Sequence, residues 1–72
     1  MTNEPNMQLT INGRVHKFAG SLTGDQLLSE LGINPALVVA EINGEVVPRD
    51  EFPTQQLTDG DILELVTIVG GG

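Results

Sequence analysis

Two Asn-Gly pairs, Asn12-Gly13 and Asn43-Gly44, constrain this chain more than any other feature. A two-residue type I′ hairpin turn needs positive φ at both central residues, and Asn followed by Gly meets that need at low steric cost. Before the first pair, Met7, Leu9 and Ile11 alternate with Gln8, Thr10 and Asn12, the period of a half-buried strand, and Arg14 to Phe18 reads as the returning strand. Around the second pair, Val38 to Ile42 leads in, and Glu45-Val46-Val47 leads out before Pro48. The pattern predicts two β-hairpins. Ile11-Asn-Gly-Arg-Val15 and Ile42-Asn-Gly-Glu-Val46 resemble an internal repeat, but shared turn chemistry accounts for both without duplication.

Between the hairpins the period changes. Thr23 with Gln26 three residues later forms a capping box, and Leu22 and Leu27 stand at the staple positions around it. Leu27, Leu28 and Leu31 make one apolar stripe, Gln26, Ser29 and Glu30 face away, and Gly32 sits where a left-handed C-cap is wanted. This predicts a short amphipathic helix lying on a sheet. Asn34-Pro35 then breaks the chain. Arg49 to Thr58 reads as a connecting segment with two apolar anchors, Phe52 and Leu57, and Asp59-Gly60 turns the chain once more. Ile62 to Val69 is the most β-prone run, expected as a central strand buried on one face and partly on the other.

The order strand-strand-helix-strand-strand with a late central strand points to an α+β fold of the β-grasp type, a mixed sheet of four to five strands packed on one helix. At 72 residues the chain can hold one core, expected over residues 7–69. Residues 1–6 lack any apolar pattern and are expected as a disordered N-terminal extension, and residues 70–72, Gly-Gly-Gly, as a flexible tail.

With no cysteine, neither a disulfide framework nor a Cys-based zinc site can support this core; packing of Leu, Ile and Val must do so, since Phe18 and Phe52 are the only aromatics. Ten acids against three Lys and Arg give a formal charge of −7, which argues against nucleic acid and anionic membrane surfaces as partners. Seven of the ten acids fall between Glu41 and Glu64, so that half of the chain is expected to meet partners carrying basic groups. No apolar run approaches the ~20 residues needed to span a bilayer, and residues 1–6 are polar rather than signal-like, so the expected location is cytoplasmic.

Three glycines after a strong strand read as a frayed end or as a working tail. In the second reading, a tail without side chains threads a narrow channel and lays the Gly72 carboxylate against a partner's active site, with Gly70 and Gly71 as the recognised stem. A carboxylate is a poor acyl donor; conversion to an acyl-adenylate supplies a good leaving group for a sulfur nucleophile. Other candidates carry less chemistry. His16 is the lone histidine, with Ser21 and Ser29 the only serines to pair with it, too little for a catalytic triad. Asp59 and Asp61 lack the further ligands of a calcium loop and are explained by turn formation. No Walker-type phosphate loop is present, so no bound cofactor and no metal are expected. If Leu63 and Leu65 face the helix, alternation turns Val66 and Ile68 outward together with Val39 and Glu41, and these four residues form the candidate partner-docking face.

From Met7 to Gly72 the chain resembles the ubiquitin-like sulfur carrier proteins of thiamine biosynthesis. The residues that carry the resemblance are Met7 to Gly13, Val39-Ala-Glu-Ile-Asn-Gly-Glu-Val-Val-Pro-Arg49, and Leu57-Thr-Asp-Gly-Asp-Ile-Leu-Glu-Leu-Val66 ahead of the glycines. The resemblance implies a protein co-substrate rather than an enzyme. An E1-like adenylating enzyme, related to ubiquitin-activating enzymes, would spend ATP on Gly72. A sulfur donor such as a cysteine desulfurase would then supply the sulfur of a terminal thiocarboxylate, and thiazole synthase would accept it. The carrier is expected to be a monomer when free. Rival readings are a sulfur carrier of the molybdopterin synthase small-subunit type, a ubiquitin-like protein modifier, and a non-reactive β-grasp binding module. The single lysine, Lys17, disfavours chain-building on the modifier itself.

Overall fold

The computed structural model describes residues 6–68. The tail residues Gly70, Gly71 and Gly72, and residues 1–5 of the expected extension, lie outside the described residues. The elements in chain order are β1 (Asn6–Ile11), β2 (Arg14–Ala19), α1 (Gly24–Leu31), a 3-10 turn (Pro35–Leu37), β3 (Val38–Ile42), β4 (Glu45–Val47), a second 3-10 turn (Phe52–Thr54) and β5 (Ile62–Thr67).

The hairpins form where the Asn-Gly pairs demand them. Asn12 and Gly13 adopt φ of 52° and 81°, and Asn43 and Gly44 adopt 53° and 86°. β1 starts at Asn6, one residue before the alternation begins, because Asn6 still has a ladder partner in Ala19. The helix follows its caps. The Thr23 hydroxyl accepts from the Gln26 N–H, the Gln26 side chain accepts from the Thr23 N–H, and Gly32 closes the helix in the left-handed conformation. Asn34, read from sequence only as part of a break, caps the first 3-10 turn by accepting from the Ala36 N–H at 3.0 Å.

The five strands form one mixed sheet in the order β2-β1-β5-β3-β4. β1 and β5 run parallel, whereas the β1–β2, β3–β4 and β3–β5 pairs are antiparallel. β5 is therefore the central strand. Met7, Leu9 and Ile11 from β1, Leu63 and Leu65 from β5, and Val38 and Ala40 from β3 bury one sheet face against Leu27 and Leu28 of the helix. Phe52 and Leu57 close the core as the anchors of the long connection. The other face of β5 is more open than the sequence suggests, with Ile62 and Val66 both exposed. Among the described residues no helix is long and apolar enough to cross a membrane.

Candidate docking face and tail exit

Register, more than composition, assembles the candidate site. β3 and β5 pair so that Val39 lies directly opposite Val66 and Glu41 directly opposite Glu64. Because Val38, Ala40, Leu63 and Leu65 are buried against the helix, the intervening residues project from the opposite sheet face. Val66 is 59% exposed, Ile68 43% and Val39 37%, so all three offer apolar surface to a partner. The structure thus brings Val39, Glu41, Val66 and Ile68 onto one side of the sheet.

This face sits where the chain leaves the sheet. β5 ends at Thr67, and the Ile68 N–H donates to the Leu37 carbonyl at 2.6 Å, the last described backbone bond before the glycines. Exposed Leu37 and Val46 widen the apolar surface, Val46 lying across the ladder from Glu41. Sequence reasoning missed both. Leu37 belongs to a 3-10 turn that the pattern did not reveal, and in Glu45-Val46-Val47 only the pairing register decides which valine faces outward.

Two carboxylates occupy the middle of the patch. Like charges directly opposite on neighbouring strands repel, so the Glu41–Glu64 pair slightly disfavours the free sheet. A cationic group placed over the pair relieves that repulsion.

The remaining sequence candidates have structural roles. The Asp59 carboxylate accepts from the Gln8 N–H at 2.7 Å and pins the turn before β5 to β1. Asp61 accepts from the Thr58 N–H at 2.9 Å and from the Asn43 side-chain amide at 3.0 Å. Partial burial alone would raise the Asp61 pKa, but these hydrogen bonds to its charged form outweigh that and hold it below the ordinary 3.8. His16 stacks on Phe18 of the same strand, with ring centroids 6.3 Å apart and planes inclined by 11°.

Residues 9–72 match the ThiS family, a match that runs through the terminal glycines. The chain is 42% identical over 66 residues to a thiazole synthase of Paramagnetospirillum magneticum, covering 92% of this chain but only 20% of that protein. It is 30% identical over 66 residues to the sulfur carrier protein ThiS of Escherichia coli, covering 92% of this chain and 100% of the carrier. The crystal structure of a thiamine biosynthesis protein, ThiS, from Geobacter metallireducens superposes with a TM-score of 0.77 at 39% identity, covering 92% of this chain and 100% of that one. The sheet order, the capped helix and the family match ending on the glycines agree, and the chain belongs to the ThiS family.

Proposed function

We infer that the working group of this chain, a sulfur carrier of thiamine biosynthesis, is the carboxylate of Gly72, and that the folded domain presents that group to enzymes. The observation that carries the reading is the apolar outward face of β3 and β5 beside the point where the chain departs toward Gly70-Gly71-Gly72, in a family match that includes those glycines.

Loading begins in an adenylating enzyme, where the Gly72 carboxylate attacks the α-phosphate of ATP and pyrophosphate leaves. A sulfur nucleophile at the oxidation level of sulfide then attacks the acyl carbon, AMP departs, and the product is a thiocarboxylate. The donor upstream is of the cysteine desulfurase class, and two thiols, leaving as a disulfide, reduce its persulfide sulfur to the sulfide level before the attack. Thiazole synthase takes the sulfur, a role supported by thiazole synthase relatives in which a segment matching this chain forms part of the same polypeptide. The carrier contributes no catalytic side chain. Its contribution is positional, with Gly70 and Gly71 allowing close backbone approach and Val39, Glu41, Val66 and Ile68 docking the domain. The facing carboxylates Glu41 and Glu64 suit a partner surface that sets an arginine or lysine among apolar side chains. Because loading consumes ATP, the carrier works in the cytoplasm, as a monomer between encounters.

The test is the intact mass of the carrier after incubation with ATP, a sulfur donor and the adenylating enzyme, followed by fragmentation of the terminus. Exchange of one oxygen for sulfur located at Gly72 is expected. A terminus that stays a plain carboxylate under those conditions overturns the assignment.

A further inference from the structure

β5 is paired unevenly along its two sides. Its even-numbered residues turn their backbone groups toward β3, a pairing that continues to the Ile68 N–H and the Leu37 carbonyl. Its odd-numbered residues turn theirs toward β1. On that side the Asp61 carbonyl accepts from the Thr10 N–H and the Leu63 carbonyl from the Asn12 N–H, both at 3.0 Å. At the next position β1 has already reversed at Asn12-Gly13, and the Asn12 side chain substitutes for a strand. Its amide oxygen accepts from the Leu65 N–H at 2.8 Å, and its amide nitrogen donates to the Leu65 carbonyl at 3.1 Å.

Thr67 comes next on the same side, beyond the reach of β1. Among the described residues none bonds its backbone N–H or carbonyl. The segment is nonetheless held extended, because Thr67 pairs with Val38 across β3 and Ile68 with Leu37. Among the described residues it is therefore a strand with one side satisfied and the other open. A Cβ built on Gly13 of the reversing turn meets nothing within 4 Å. The outer edges of the sheet are protected in ordinary ways, β2 by Arg14 and Lys17 and β4 by its length of three residues, whereas Val66-Thr67-Ile68 carries no charge.

We propose that thiazole synthase adds an extended segment of its own to the β1-facing side of β5 at Thr67, so that the carrier tail enters the enzyme as a strand of a shared sheet. The ordering cost is low because β3 already holds this stretch extended. Gly72 lies five residue steps beyond Thr67, which at full extension places the terminus roughly 17 Å from the pairing point. A protein bound at Thr67 is thus one whose active site lies within that reach. The choice of thiazole synthase follows from relatives that hold a matching segment and the synthase in one chain. The proposal rests on Gly72 being the working group.

The test uses the full chain and purified thiazole synthase. Exchange of the Thr67 amide hydrogen is expected to be fast in the free carrier and slowed at least tenfold in the complex. Thr67→Pro removes an N–H that no described residue pairs, so the thermal transition is expected to hold while affinity falls tenfold or more. Replacing the amide linkage at Thr67 by an ester through semisynthesis removes only the N–H, and remains decisive if the proline variant misfolds; several-fold weaker binding is expected. Wild-type affinity of the ester variant, or unchanged Thr67 exchange in the complex, overturns the proposal. So does a loss confined to the adenylating enzyme. Exchange is read without any sulfur chemistry, so these outcomes are separate from failure of Gly72 to take up sulfur.

Discussion

Asn12 carries both a turn and a piece of strand pairing. Its positive φ closes the first hairpin, and its side-chain amide completes the ladder of β5 at Leu65 where β1 runs out. Asn43 repeats the device from the opposite side, its side-chain oxygen accepting from the Ile62 N–H at 3.0 Å while its nitrogen reaches Asp61. Glycine at either position keeps the turn and loses the clamp, which explains the use of asparagine. Asp61 makes this network sensitive to acid. Its pKa in the fold lies below the ordinary 3.8, so it stabilises the fold above that value and the contribution is lost as pH falls through the lowered pKa. Thermal unfolding between about pH 4 and about pH 2 is accordingly expected to fall more steeply in the wild type than in Asp61→Asn.

At the scale of elements, the helix is set by its caps and its docking by one glycine. Gly24 is the first residue of α1, a position where a better helix former is the ordinary choice. Its N–H donates to the Gln55 carbonyl at 2.9 Å, and a Cβ built there would lie 2.8 Å from carbons of the Phe52 ring and closer still to the Phe52 carbonyl. The helix start is thus packed directly on the second 3-10 turn. Gly24→Ala gains at most about 1 kcal/mol of helix propensity, while overpacking of a buried contact costs typically about 1–3 kcal/mol. Net destabilisation is expected, read as a melting temperature lowered by several degrees. The capping box announced this helix in the sequence, but nothing around Gly24 announced Phe52, which is 28 residues away in the chain.

For the whole molecule, charge and the sheet face act together. On the docking proposed above, a chain of net charge −7 that keeps Glu41 and Glu64 facing each other amid exposed Val39, Val66 and Ile68 would be steered to, and then held by, a partly basic apolar surface. Val66→Asp adds a further negative charge to the centre of that surface. Since Val66 is well exposed, the fold is expected to melt within a few degrees of the wild type while affinity for the adenylating enzyme falls at least about tenfold, as for a central contact. Calorimetry on both proteins checks the two halves of the statement. Unchanged affinity would mean that the enzyme grips another surface.

The residues that spoke plainly in the sequence were those whose signal is local. Asn-Gly dictates a turn by its own φ preferences, Thr23 and Gln26 cap a helix through bonds three residues apart, and alternation in Met7-Leu9-Ile11 sorts one face from the other. The four residues of the candidate face were legible for the same reason, since alternation alone puts Val66 and Ile68 opposite Leu63 and Leu65. What stayed hidden depends on contacts distant in sequence. The outward turn of Val46 waits on the β3–β4 register, the need for glycine at 24 on the approach of Phe52, and the open side of β5 at Thr67 on where β1 reverses relative to it. Local energetics write themselves into neighbouring residues, whereas register and close approach are decided only when the sheet assembles and each backbone group finds, or fails to find, its partner.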